Sequence, residues 1–475
     1  MLGCTRTPTV VATLAAVGGL FGAVTPDLVS GATLASAKTA PADVWPTFGH
    51  DPLHSGVSSD TAIAASTAPS LQLRWSAPLS SARDEPSPVV AYSATLGKTV
   101  VYATTFSGVI SAFNAATGEL VWQRSLGSQV TSSPAVRGGT LYIGTQNGTL
   151  EALSAATGAV RCTFTLPVIA PATTPGRIYS SPVVENVDGT GPTVFFGDAG
   201  TNESDNAGHL WAITGVGNTA GGCQEKWAYN DWPNKGPTGT YTGVWDEPAL
   251  VQNRRGRWEV VFGTGDPDES VYAVDAVKGS RLWRFQTLVN GPNEDIGAGP
   301  TIGPPGVNGL ADGAVYVDGK DGIEYALNLR TGSQIWSFRL GAGTHNFEDG
   351  ISKAVSEAAL TGDRLLVCYA AKVFALNANT GARIWTAKPG LNLASGGDIQ
   401  ASPALAGPPG HRVLFAGDLN GDEFGLLVRN GSQVFAASPG GKLQASSAVA
   451  AGTLYFDSGG TLYAYAPPTG RHPAR

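Results

Sequence analysis

Residues 112–122 read Ala-Phe-Asn-Ala-Ala-Thr-Gly-Glu-Leu-Val-Trp. Gly118 follows Ala112 by six positions, and Trp122 follows Gly118 by four. The same spacing returns at Ala273, Gly279 and Trp283, at Ala326, Gly332 and Trp336, and at Ala375, Gly381 and Trp385. It returns at Ala152, Gly158 and Cys162, where a cysteine takes the aromatic place. A degenerate copy ends at Phe435, and a copy with a longer turn runs from Ala212 to Trp227. Self-similarity at a spacing of about 40–65 residues marks a repeat architecture, which decides the fold before any local element does.

Each copy carries strand chemistry. Thr140-Leu-Tyr-Ile-Gly144 is β-rich and is followed by Asn147-Gly148, and Asn-Gly between alternating apolar residues is a strong hairpin signal. The glycine before the last strand suits a turn position with positive φ. The alanine leaves room for a large neighbour, which the tryptophan supplies. Upstream, Ser132-Ser133-Pro134, Ser180-Ser181-Pro182, Glu247-Pro248, Gly299-Pro300 and Ser402-Pro403 place proline where an inner strand starts. Four strands per copy is the content of a propeller blade.

The ends of the chain agree. The last copy, residues 462–470, holds Ala464 and Gly470 in register, but no aromatic strand follows it. Leu71-x-Leu73-x-Trp75 is the reverse, a final strand without its three predecessors. Pairing the two closes a ring and removes both open edges. Final strands at Trp75, Trp122, Cys162, Trp227, Trp283, Trp336, Trp385 and Phe435 make eight blades. The expected fold is all-β: an eight-bladed β-propeller of four-stranded antiparallel blades over 71–470, with a lead-in at 38–70 and a tail at 471–475.

Composition fits this reading. Gly (63) and Pro (31) are too frequent for long helices, because each interior glycine costs a helix about 1 kcal/mol. Hydrophobic residues at 42% exclude disorder for most of the chain. A net charge of −7 argues against a protein that grips a nucleic-acid backbone. Residues 9–24 form an apolar run of 16 behind Arg6, shorter than the ~20 needed to span a bilayer. With Ala35-Ser36-Ala37 as the first choice of cleavage site and Ser30-Gly31-Ala32 as the second, residues 1–37 read as a signal peptide, the alternative being an uncleaved membrane anchor. Cys4 precedes the apolar run, so it is not a lipoprotein cysteine. The expected mature chain is secreted or extracytoplasmic, monomeric and without a transmembrane segment. Of its cysteines, Cys162 stands for the aromatic of blade three and Cys223 lies just before Trp227 of blade four. Neighbouring blades bring these segments together, so a Cys162–Cys223 disulfide is expected in an oxidising compartment. The alternative is three buried thiols, Cys368 included.

The Ala-x5-Gly-x3-Trp spacing resembles the tryptophan-docking motif of PQQ-like propeller repeats, the superfamily of the quinoprotein alcohol dehydrogenases. The resemblance covers about residues 45–470, and the segment Trp45 to Gly56, with His50, Asp51 and His54, resembles the family's lead-in. It implies that each tryptophan packs between neighbouring blades. It also implies where a quinone site would lie: PQQ on the axis over a Ca²⁺ held by carboxylate and amide oxygens. Residues 196–203 resemble the stretch that ends in a metal-binding glutamate, which would be Glu203. Gly263-Thr-Gly-Asp266-Pro267 resembles Gly-Thr-Gly-Asn-Pro, which makes Asp266 the second metal ligand. Trp283-Arg-Phe-Gln286-Thr287 resembles a stretch shortly before the catalytic aspartate, which would be Asp295. Asp318-Gly-Lys320-Asp-Gly-x-x-Tyr325 resembles the stretch whose lysine faces the quinone, here Lys320. The chain departs from that pattern in having no vicinal Cys-Cys pair and no Cys-x-x-Cys-His for an attached haem.

Other chemistries have thinner support. No Gly-x-Ser-x-Gly, P-loop or Gly-x-Gly-x-x-Gly is present. His50, Asp51 and His54 offer metal-ligand atoms, but the segment reads better as a proline-containing loop at a propeller rim. Asp418-x-Asn420-x-Asp422 and Asn186-x-Asp188-Gly189 read as turns. The repeat builds enzymes and non-catalytic propellers alike. The sequence therefore points to a binding module for a small ligand or an exported partner protein, acting through the axial funnel and top loops, where Trp232, Tyr241 and Trp245 are contact candidates. The alternative is a PQQ- and calcium-dependent alcohol or sugar dehydrogenase with Asp295 as base.

Overall fold

The computed structural model describes residues 44–81, 86–168, 173–200, 208–232, 243–288, 295–306, 309–343, 356–390 and 397–468. Arg6, Cys4, the 9–24 run, Glu203, Tyr241 and Gly470 lie outside them. The strands form eight antiparallel four-stranded sheets. Blade two spans 89–125, three 135–165, four 183–229, five 249–286, six 301–339, seven 359–387 and eight 404–437. Blade one combines 448–466 with the strand Gln72–Pro78, which pairs Trp75 with Ala464 across the closure. The eight-bladed ring and its closure are those read from the sequence.

The repeat spacing has a two-part physical basis. Within a blade, the alanine and the aromatic ten residues later face each other across the outer strand pair: Ala112 with Trp122, Ala273 with Trp283, Ala326 with Trp336. A register shift follows each alanine, and such bulges increase the local twist. Between blades, each indole lies on the turn glycine of the next copy. A Cβ on Gly332 would sit 2.5 Å from the Trp283 ring, and one on Gly118 2.7 Å from Trp75. Gly332 also has φ 68°, so both close approach and backbone conformation demand glycine. Each indole N–H then donates to a carbonyl of the next blade's turn: Trp75 to Ala115 (3.0 Å), Trp122 to Ala155 (3.0 Å), Trp227 to Ala276 (3.2 Å), Trp283 to Leu329 (2.7 Å), Trp336 to Ala378 (2.9 Å) and Trp385 to Val428 (3.0 Å). One residue thereby fills the seam and satisfies a turn carbonyl.

Blade three lacks the indole, and there Cys162 is bonded to Cys223 across a Cα–Cα distance of 5.9 Å. The disulfide occupies the seam between blades three and four, where the other copies dock a tryptophan. Cys368 is a buried free thiol.

The lead-in is not a rim loop. It circles the axis and caps the free edges of the inner strands in blade order. Trp45 pairs with Val90 of blade two, and the Pro46 carbonyl accepts from Val136 of blade three. The Thr47 hydroxyl donates to Pro182 beside blade four. The carbonyls of Pro52, Leu53, Ser55 and Gly56 then accept from Leu250, Ile302, Leu360 and Leu405 of blades five to eight. Asp60 ends the circuit by accepting from Gly452 of blade one. Innermost strand edges would otherwise present unpaired backbone groups to the channel. No helix among the described residues is long and apolar enough to cross a membrane.

Candidate functional site

The loops from second to third strand and from one blade to the next share one end of the ring, called here the top. At this end a hydrogen-bonded ring crosses most of the blades through the residue that opens each inner strand. The Ser87 N–H donates to Ser133 Oγ (2.9 Å), the Ser133 N–H to Ser181 Oγ (2.9 Å) and Ser181 Oγ to Glu247 Oε1 (3.0 Å). On the other side the Glu357 N–H donates to Ser402 Oγ (3.0 Å), the Ser402 N–H to Ser446 Oγ (2.8 Å) and the Ser446 N–H to Ser87 Oγ (2.9 Å). Blade six breaks the ring with Gly299. A Cβ there would lie 2.0 Å from Glu357 Oε1, so the missing side chain is what admits that carboxylate.

Into this gap the lead-in sends His54, whose Nδ1 lies 3.0 Å from Glu357 Oε1, both side chains 2% exposed. Burial works against a charged imidazole, but the Glu357 carboxylate, helped by Glu247 and Asp51, overrides it and raises the His54 pKa. Burial, reinforced by repulsion from Glu357, pushes Glu247 up to about 7. Asp51 is committed to the lead-in's own turn, accepting from Leu53, Ser55 and the Ser55 hydroxyl. The metal-ligand atoms that His54 and Asp51 offer are thus taken up by an axial latch and a turn. The signal for the latch was legible: the position before proline is Ser in four blades, but Glu247 and Gly299 in blades five and six.

Above the latch, at the mouth between blades five and six, the structure brings Asp266, Asp295 and Lys320 together. Lys320 sits in the turn between second and third strands of blade six. That turn is pinned by Asp321, which accepts from the Ile323 N–H (2.9 Å) and the Tyr325 hydroxyl (2.5 Å). The Lys320 N–H donates to the Asp295 carbonyl (3.0 Å), and Lys320 Nζ reaches Asp295 Oδ2 at 2.5 Å. Both side chains are nearly buried, at 6% and 4% exposure. The other oxygen of Asp295 accepts the backbone N–H of Asp266.

Asp266 rides on the turn 264–269 of blade five, braced from several sides. Asp268 accepts from Thr264 Oγ1 (2.9 Å), Tyr272 OH (2.7 Å) and Arg284 Nη2 (3.1 Å). Gln286 Nε2 donates to the Asp268 carbonyl (2.7 Å) and Thr287 Oγ1 to the Glu269 carbonyl (2.6 Å). The Gln286-Thr287 pair therefore serves to clamp the loop that carries Asp266. Partial burial and the neighbouring Asp295 carboxylate raise the Asp266 pKa.

Trp245 completes the mouth. The Lys320 ammonium lies 4.4 Å from the centre of its ring, within range of a cation–π contact. A Cβ on Gly265 would fall 2.8 Å from Trp245 Nε1 and 3.2 Å from Asp295 Oδ1, so glycine keeps the indole and carboxylate close. In the sequence Trp245 is distinguished only as a loop aromatic. Trp232, distinguished in the same way, is a core residue: 2% exposed, it donates to the Gly208 carbonyl and packs on Tyr229, Phe262 and Tyr272. The remaining two motifs are turns, in which Asp418 accepts from Asn420 and Asp422, and Asn186 from Gly189.

Two of the features that would hold a planar, oxygen-bearing group, an aromatic ring and a cation beside it, are present at this mouth. Trp245 offers the ring and Lys320 the cation, while the missing side chain of Gly265 makes room for the Trp245 indole and the Asp295 carboxylate. The calcium half is not completed by these residues: among the described residues no three His, Cys, Asp or Glu side chains are grouped to hold a metal, and Ca²⁺ takes six to eight oxygens.

Residues 59–207 and 264–472 match the family model described as outer membrane protein assembly factor BamB. A stretch of 135 residues is 29% identical to the quinoprotein ethanol dehydrogenase of Pseudomonas putida, taking in 27% of this chain and 20% of that protein. The matched stretch thus spans a fifth of that relative's length. Among solved structures, the quinohemoprotein alcohol dehydrogenase from Comamonas testosteroni superposes with a TM-score of 0.67 at 16% identity, over 91% of this chain and 82% of that one. BamB from Moraxella catarrhalis superposes with a TM-score of 0.57 at 17% identity, over 85% and 99%. At such identities the likeness is one of fold.

Proposed function

The chain belongs to the PQQ-like propeller family whose model is described as outer membrane protein assembly factor BamB, and on that footing we propose that it is an exported binding module for a small, planar, oxygen-bearing ligand taken at the top mouth. The observation that carries this reading is the Lys320 ammonium held between the Asp295 carboxylate at 2.5 Å and the Trp245 ring at 4.4 Å. An ammonium fixed on both sides, beside an aromatic face, is prepared to meet a ligand carbonyl without reorganisation. Export is supported by the apolar run at 9–24 and by a disulfide standing in a blade seam.

A second reading is favoured by the same residues and by the stretch shared with a quinoprotein ethanol dehydrogenase: a PQQ- and calcium-dependent dehydrogenase of alcohols or sugars. A bound quinone would supply a two-electron acceptor. Lys320 would face its carbonyl oxygen, and Asp295 would be the group placed to take a substrate proton, with Asp266 and Glu203 the residues offered to the metal.

One experiment tests both. PQQ is titrated into the purified full chain with and without Ca²⁺, following indole fluorescence and cofactor absorbance, and dye reduction is then assayed with ethanol and with glucose. Saturable binding lost in Trp245→Ala, without dye reduction, supports the binding module. Dye reduction abolished in Asp295→Asn establishes the dehydrogenase instead. Absence of PQQ binding in both conditions, or binding untouched by Trp245→Ala, sinks both readings of the mouth.

A further inference from the structure

On the face opposite the mouth, a cleft of about 440 Å³ opens between blades five and six. Its walls carry Arg254, Arg255, Arg257 and Arg330, opposed by Glu259 and Asp312. In a chain of net charge −7, four arginines against two carboxylates leave two positive charges in one recess.

The cleft is built rather than incidental. The hairpin turn bearing three of the arginines is pinned by Asn253, whose Oδ1 accepts from the N–H groups of Arg255 (2.8 Å) and Arg257 (3.1 Å). Asn253 Nδ2 donates to the buried Glu259 Oε1 (2.7 Å), and the same oxygen accepts from Arg257 Nε (3.2 Å) and Nη2 (2.7 Å). Across the seam, Arg330 Nε donates to Asp312 Oδ2 (3.1 Å). The turn that carries Arg330 is in turn held by Trp283, whose indole donates to the adjacent Leu329 carbonyl. Two arginines are thus oriented by carboxylates, while Arg254 and Arg255 make no ion pair among the described residues. Arginine forks match the planar spacing of oxyanion oxygens.

We propose that this cleft is a binding site for the phosphate group of a small soluble phosphate monoester. A monoester carries about −1.5 to −2 charges at neutral pH, which matches the cleft's surplus of two positive charges better than a single carboxylate does. The volume leaves room for an organic group beyond the phosphate.

The test is calorimetric titration of the full chain with glycerol 3-phosphate and with inorganic phosphate, alongside co-sedimentation with vesicles containing phosphatidic acid. Glycerol 3-phosphate should bind saturably. The exposed-turn double variant Arg254→Ser/Arg255→Ser should weaken it at least tenfold with the unfolding midpoint unchanged, and Arg330→Ser should weaken it independently. Trp245→Ala should leave it untouched, which separates this site from the mouth. Non-saturable uptake, an unchanged affinity in the double variant, or binding to vesicles without binding of the soluble ester would overturn the proposal.

Discussion

Lys320→Met probes the pair on which the mouth depends. Asp295 is 3% exposed, and losing the ammonium leaves its carboxylate with the Asp266 N–H as its remaining donor among the described residues. Stranding one partner of a buried pair costs about 3–5 kcal/mol. The surviving hydrogen bond to a charged acceptor holds the loss to the low end, about 3 kcal/mol. Asp295→Asn takes the carboxylate away from the ammonium instead, and the Trp245 ring at 4.4 Å retains about 1–2 kcal/mol of cation–π attraction. That variant should therefore lose less, about 1–3 kcal/mol. The double variant Asp295→Asn/Lys320→Met buries no charge and should lie within about 1 kcal/mol of the parent. Urea unfolding of the four proteins at one pH gives the coupling directly. We expect at least about 2 kcal/mol of coupling. If the double variant costs the sum of the two single ones, the residues act independently and the mouth is not organised around their contact.

Two further outcomes follow from the seams and the axis. Trp283→Ala empties the gap between blades five and six and should cost about 3–5 kcal/mol, whereas Trp283→Phe forfeits mainly the hydrogen bond to Leu329, about 1 kcal/mol; equal effects in urea melts would show that the indole N–H contributes nothing. Glu247 carries a folded pKa of about 7 against the ordinary 4.5, so its proton is held more tightly in the folded state. Its contribution to stability is full below pH 4.5 and is lost as pH rises to about 7, at up to about 1.4 kcal/mol per unit. His54, also raised, changes in the same direction above its ordinary range. A plot of melting temperature against pH should be flatter for Glu247→Gln than for the parent across that window, and parallel curves would refute the assignment.

Much of this molecule is written in local spacing. Ala112, Gly118 and Trp122 carry their meaning in sequence because each answers a short-range demand: a partner across one strand pair, a left-handed turn, and a ring that must lie on the next turn. Repetition of that demand fixes the blade count, and the unmatched strands at 72–78 and 448–466 fix the closure. Asp266, Asp295 and Lys320 stand out in the sequence only through stretches that resemble those of the quinoprotein family, not through the repeat spacing.

What spacing could not convey was which of these side chains meet. Lys320 bonds a carboxylate 25 positions away and faces an indole on the connection between blades four and five, and their encounter depends on how successive blades pack around the ring. The lead-in is the clearest case. Trp45 to Asp60 looks like a loop because it has no periodicity, yet it touches one blade after another, and its regularity exists only relative to the ring it lines. Local pattern records forces between near neighbours in the chain. The charge pairing at the mouth, the His54 latch and the arginine cleft arise between segments far apart in sequence, so only the closed ring decides them.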